Sequence, residues 1–163
     1  MKKIAQVLRI GCIKRHKTVA FAESCTGGLL ATTVTAVAGA SDYFLGSFVV
    51  YSNAMKEEVL GVLPQTLESF GPVSEQVVRE MLQGVFQRTK ADCAIAVSGV
   101  AGPTGGSVEC PVGTVWAAIG ERGQTPYVNK FIFSGSRKKI ITDATQTLLV
   151  ALWESIENGS VFL

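Results

Sequence analysis

The chain has 163 residues, 47% of them hydrophobic, with 15 basic and 13 acidic side chains and a formal net charge of +2. That length and apolar content suit one domain, residues 1–163, able to bury roughly two thirds of its unfolded surface. So small a charge argues against a nucleic-acid footprint. One histidine, His16, and four scattered cysteines without a C-x-x-C pair argue against a Ser-His-Asp triad, a metal centre and a thioredoxin motif.

Ile4, Val7, Leu8 and residues 11–13 fit an amphipathic first helix, followed by a short apolar strand at residues 18–21. Ala22-Glu23-Ser24-Cys25-Thr26-Gly27-Gly28 then opens a second helix running to Val37. The span 24–41 carries no charge, but its two glycines and five hydroxyls before Ala36 suit a buried helix better than a membrane span. Because Gln6 and Arg9 interrupt any apolar run after Met1-Lys2-Lys3, no signal peptide is expected. A cytoplasmic protein with neither membrane nor nucleic-acid partner follows.

Residues 43–51 read as an aromatic and β-branched strand, and Ser52-Asn53 as the cap of a helix carrying Lys56, Glu57, Val59 and Leu60, ended by Gly61 and Pro64. Ser74 starts a further helix to about Thr89, with Met81, Leu82, Val85 and Phe86 at helical spacing. A buried strand at 92–97 leads into Ser98-Gly99-Val100-Ala101-Gly102-Pro103-Thr104-Gly105-Gly106-Ser107, a run of small uncharged residues. Two strands at 112–119 and 127–133, joined through 121–124, read as a hairpin, and a last helix spans about 137–157. This alternation implies a three-layer α/β/α fold with a mixed sheet.

Both glycine-rich segments follow strands. If those strands are parallel neighbours, their carboxyl ends share one rim, where open α/β sheets bind ligands. Unpaired N–H groups at such corners can hold an oxyanion or a phosphate, and loops of small residues let backbone approach a ligand. Neither segment matches a standard nucleotide-binding fingerprint.

Taken in order along nearly the whole chain, several blocks resemble the CinA carboxy-terminal domain family, which includes stand-alone nicotinamide mononucleotide deamidases. They are Ala22 to Gly28, Tyr51-Ser52-Asn53 with Lys56, Pro72-Val73-Ser74-Glu75, Ser98 to Pro103 with Gly105-Gly106, Pro111 to Trp116, and Ser134-Gly135 with Arg137. The resemblance implies metal-free hydrolysis of the carboxamide of nicotinamide mononucleotide, a small nucleotide substrate, to nicotinate mononucleotide and ammonia, without a cofactor. By carry-over, Ser24 is the nucleophile, with Tyr51 and Lys56 as its activating partners. The substrate-binding candidates are Glu23, Thr26, Gly27, Gly28, Ser98, Gly99, Ala101, Gly102, Thr104, Gly105, Gly106 and Arg137.

The chemistry suits those residue types. A serine needs a neighbour to take its proton, and lysine and tyrosine ordinarily hold theirs to about pH 10, so the environment must lower that value. Glu23 is either an orienter of Lys56 or an ordinary strand-end residue, and Cys25 is the rival nucleophile. Either glycine-rich segment suits the oxyanion or the phosphate. The chain departs from the family pattern at Ile141 and Cys110, where an arginine and a lysine are usual, and this bears on the phosphate end of the substrate. The alternatives are a non-catalytic nucleotide-sensing or competence-associated module, and an amidase for another small amide. Trp153 and the tail Val161-Phe162-Leu163 suit a homo-oligomer interface as well as a core edge.

Overall fold

The computed structural model describes residues 1–159, so the apolar tail at 161–163 lies outside the described residues. Five strands, β1 (Val19–Glu23), β2 (Phe44–Val49), β3 (Cys93–Gly99), β4 (Thr114–Glu121) and β5 (Tyr127–Ile132), form one sheet in the order β2-β1-β3-β4-β5. β1 is parallel to both β2 and β3, while β4 runs antiparallel to β3 and β5 antiparallel to β4. The mixed sheet expected from the sequence is therefore present, and the two strands that precede the glycine-rich segments are parallel neighbours.

Helices α1 (Lys2–Arg15), α2 (Leu29–Thr35) and α6 (Arg137–Asn158) cover one face of the sheet, and α3 (Asn53–Leu60), α4 (Pro64–Phe70) and α5 (Glu75–Arg88) the other. The two faces of the central strands are unlike. Val19, Phe21, Ile95 and Val97 fill the first, whereas Ala20, Ala22, Ala94, Ala96 and Ala118 line the second. Small side chains there let α5 lie close to the sheet, and the same closeness recurs between α5 and α3. A Cβ added to Gly84 would stand 2.2 Å from the Leu60 carbonyl oxygen, a backbone atom that cannot swing aside.

Gly84→Ala is therefore expected to push α3 outward at a cost of about 1–3 kcal/mol. A chain of this size loses about 2–4 °C of Tm per kcal/mol, which thermal unfolding will read. An unchanged Tm would show that α3 has room to spare.

Local differences from the sequence reading have local causes. Gly27 and Gly28 both take positive φ, 59° and 96°, so the second helix begins only at Leu29 and ends at Thr35, short of Val37. Pro64 begins a helix where the sequence suggests only a stop. Proline is compatible with a first helical turn, and Glu80 on α5 accepts from the Leu63 N–H (2.9 Å) and the Thr66 hydroxyl (2.7 Å), capping α4 from a neighbouring element. Among the described residues no helix is long and apolar enough to cross a membrane.

Candidate active site

Parallel pairing brings the carboxyl ends of β1, β2 and β3 to one rim, and β5 ends there too because it runs with β3. β1 delivers Ser24, whose N–H donates to the Val97 carbonyl at 3.0 Å. β2 delivers Val50 and Tyr51, β3 delivers Ser98 and Gly99, and the cap residue Ser136, accepting from the Lys139 N–H, starts α6 with Arg137. Ser24, Cys25, Tyr51, Asn53, Lys56, Pro72, Val73, Ser98, Gly99, Ala101 and Arg137 enclose a cleft of about 170 Å³.

Lys56 is placed by its helix. Ser52 caps α3 by accepting from the Met55 N–H, so Lys56 falls in the first turn on the same face as Leu60, turned toward the core. Its side chain is 1% exposed, and Nζ lies 3.1 Å from the Ser24 hydroxyl oxygen and 3.2 Å from the Val50 carbonyl oxygen. Among the described residues no carboxylate forms a salt bridge with it. Burial penalises the ammonium and lowers the lysine pKa from its ordinary 10.5, leaving a neutral amine accessible nearer neutrality.

Cys25 has the opposite character. Burial pushes its thiol up to about 12, so almost none is thiolate at pH 7. Of the two adjacent nucleophile candidates, only Ser24 has a base within hydrogen-bonding distance.

Tyr51 lines the same cleft but is 60% exposed, and its hydroxyl accepts from Arg137 Nη2 at 2.9 Å. Arg137 Nη1 donates to the Gly102 carbonyl oxygen at 2.8 Å, tying Tyr51, α6 and the second glycine-rich segment together at the mouth. The structure brings Ser24 and Lys56 into contact, with Tyr51 paired across the cleft to Arg137.

The remaining sequence candidates divide by position. The Ser98 hydroxyl donates to the Pro72 carbonyl oxygen at 2.7 Å, which draws the start of α5 against β3 and forms a wall of the cleft. Gly99 and Ala101 line the cleft, whereas Thr104, Gly105 and Gly106 lie on the exposed part of the loop and do not reach its wall. Several of these glycines serve close packing within the protein. A Cβ on Gly99 would meet the Thr114 carbonyl oxygen at 2.7 Å, one on Gly102 the Val112 side chain at 2.5 Å, and one on Gly106 the Val112 nitrogen at 2.8 Å.

At the first corner the Gly27 N–H donates to the Ser24 carbonyl oxygen, while the Thr26 hydroxyl and the Gly28 N–H donate to the Glu23 carboxylate. Glu23 does not contact Lys56 by hydrogen bond; it faces α2. The N–H groups of Cys25 and Thr26 are not drawn into those bonds.

Three lining residues lie outside the sequence candidates. All three belong to blocks already matched to the family, Pro72 and Val73 to one and Asn53 to another, where it follows the capping serine. Of the departures, Ile141 lies with Leu29, Arg137, Lys138 and Thr142 in a groove beside the cleft, and Cys110 is half-buried, its N–H donating to the Ser107 hydroxyl.

The model of the CinA C-terminal domain matches residues 1–156. The chain belongs to the CinA C-terminal domain family.

A relative from Enterobacter agglomerans named nicotinamide-nucleotide amidohydrolase PncC is 50% identical over 141 residues, which is 86% of this chain and 86% of that protein. A putative competence-damage inducible protein of Moorella thermoacetica is 49% identical over 87% of this chain, yet the chain spans only 34% of that longer protein. Among solved structures, the competence damage-inducible protein A (ComA) of Klebsiella pneumoniae subsp. pneumoniae MGH 78578 superposes with a TM-score of 0.92 at 36% identity, covering 96% of this chain and 97% of that one. The fold thus agrees with the family in architecture as well as in sequence.

Proposed function

We propose that the chain is an amidohydrolase that deamidates nicotinamide mononucleotide, with Ser24 as nucleophile and Lys56 as general base. One observation carries this reading: a serine hydroxyl 3.1 Å from a buried lysine amine that forms no salt bridge among the described residues, at the rim where an α/β sheet binds its ligands. The 50% identical relative named as a nicotinamide-nucleotide amidohydrolase, matched over 86% of its length, supports the substrate class.

The reaction follows from that pair. With Lys56 neutral, the Ser24 O–H donates to Nζ, and the oxygen attacks the carboxamide carbon as the proton moves to the amine. Negative charge develops on the carbonyl oxygen, for which the Cys25 and Thr26 N–H groups are the donors nearest the nucleophile in sequence. Collapse of this intermediate breaks the carbon–nitrogen bond, and the Lys56 ammonium returns the proton to the departing nitrogen, releasing ammonia. Water, deprotonated by the same amine, then attacks the ester; its C–O bond to Ser24 breaks as the Lys56 ammonium returns that proton to the serine oxygen, and the product leaves as the carboxylate.

Size sets where the rest of the substrate lies. Pockets that bury a whole ligand usually exceed about 300 Å³, so a cleft of about 170 Å³ takes the pyridine carboxamide and leaves ribose and phosphate at the mouth. There Arg137, already bridging Tyr51 and Gly102, is the cation in place for the phosphate, and Tyr51 flanks the ring.

Ammonia release across nicotinamide mononucleotide, nicotinamide and unrelated small amides tests the proposal. Turnover of the mononucleotide well above the free base is expected. Binding without release would identify a sensing module, and preference for another amide would replace the substrate.

A further inference from the structure

The buried acid next to the nucleophile has no part in the scheme above. Glu23 is 0% exposed, yet among the described residues its hydrogen-bond partners are all neutral donors and no cation forms a salt bridge with it. One carboxylate oxygen, Oε2, accepts from the Thr26 hydroxyl (2.8 Å), the Gly28 N–H (3.1 Å) and the Leu30 N–H (3.0 Å); the other, Oε1, accepts from the Ala31 N–H (3.0 Å) and the Ser47 hydroxyl (2.9 Å). Five donors on a fully buried side chain leave neither carboxyl oxygen without a partner. They also use the N–H groups with which α2 would otherwise meet an incoming anion.

We propose that Glu23 is the positioning residue of the Ser24–Lys56 pair, setting the distance between nucleophile and base and making no contact with substrate. This rests on the reading of Ser24 and Lys56 given above. Four of its donors belong to the segment that folds back around Ser24. The fifth, Ser47, belongs to β2, the edge strand whose pairing with β1 is already irregular between Val19 and Ala20. The main chain of Glu23 holds β2 a second time, because the Val50 N–H donates to the Glu23 carbonyl oxygen at 2.8 Å. The Val50 carbonyl oxygen in turn accepts from Lys56 Nζ.

A continuous path therefore runs from the serine corner through Glu23 to β2 and on to the lysine. An edge strand is held by pairing on one side alone, so its register near the site depends on such side-chain pins. Because the carboxylate fills the start of α2, the substrate phosphate is held elsewhere, which agrees with Arg137 at the mouth. A residue acting this way governs the chemical step and not affinity, since displacing a reacting group by about 1 Å costs on the order of 10²-fold in rate.

The test uses Glu23→Gln and Ser47→Ala in the full chain, with ammonia release from nicotinamide mononucleotide, the rate of Ser24 labelling by a fluorophosphonate, and thermal unfolding. Glu23→Gln is expected to lower kcat by about 10²-fold with KM unchanged, and to slow labelling in parallel. Ser47→Ala is expected to lower kcat less, again without moving KM. A raised KM with kcat intact would make Glu23 a substrate contact, and wild-type kcat and labelling in the folded variants would remove its role.

If Glu23→Gln does not fold, Ser47→Ala decides alone, and wild-type kcat there overturns the proposal. A wild-type chain that is labelled at Ser24 but releases no ammonia from the mononucleotide refutes the substrate reading only. The labelling ratio of variant to wild type then still decides the role of Glu23, and a wild-type chain that is not labelled at all overturns both.

Discussion

Ser24→Ala abolishes ammonia release, with kcat falling by about 10⁴–10⁶-fold, while Cys25→Ala keeps most of the wild-type rate. The large loss is expected because a nucleophile acts as a unit with its base, and what survives its removal is only binding and oxyanion stabilisation. The contrast follows from the environments of two adjacent side chains. Ser24 has an amine at 3.1 Å that burial holds ready to accept a proton. Cys25 is buried and pushed up to about 12, which leaves a thiolate fraction of roughly 10⁻⁵ at pH 7. Steady-state ammonia assays on the two variants decide the matter, and a dead Cys25→Ala beside an active Ser24→Ala would reverse the assignment.

Replacing Lys56 with methionine has two opposite consequences. Activity falls by about 10²–10⁴-fold, the usual contribution of a positioned general base. Stability at neutral pH rises, because a buried amine that resists protonation is replaced by an apolar side chain of similar length. The sign comes from linkage. The folded-state pKa of Lys56 is lowered below its ordinary 10.5, so between the two values the unfolded chain binds a proton that the native chain does not. Native stability therefore increases with pH across that window, and the penalty is complete below the folded-state value.

The advantage of Lys56→Met is accordingly greatest at low pH and shrinks as pH approaches 10.5. Wild-type kcat/KM should climb over the same rising limb, since only the neutral amine accepts the serine proton. Lys56→Arg offers no rescue, because a guanidinium stays protonated throughout. Thermal unfolding of wild type and Lys56→Met against pH, beside a pH–rate profile, checks each part; a flat rate profile, or a variant less stable at every pH, would discard the neutral-lysine base.

Much of this site is legible in the sequence. The strand signal before Ala22 to Gly28, the capping serine before Lys56 and the buried strand before Ser98 each mark a chain segment whose end is a corner, and the family blocks name the residues on those corners. Glu23 was less legible, because a glutamate at a strand end reads alike whether it faces solvent, substrate or five internal donors. The glycines of the second loop show the same limit. Their spacing suggests room for a ligand, whereas the backbone atoms of Thr114 and Val112 occupy the space beside Gly99 and Gly106.

Composition, the order of strand and helix signals and the quoted motifs were enough to determine an α/β fold, its family and the identity of a serine with a lysine one helical turn beyond the next strand, because local propensity, capping and alternation act over neighbouring residues. The tertiary structure alone decided that Lys56 and Ser24 meet, that Tyr51 pairs with Arg137, that Pro64 starts a helix under Glu80 and that Glu23 closes the start of α2. Those outcomes depend on which strands lie side by side and on contacts between residues far apart in the chain, and such distances are fixed by packing, which no window of sequence contains.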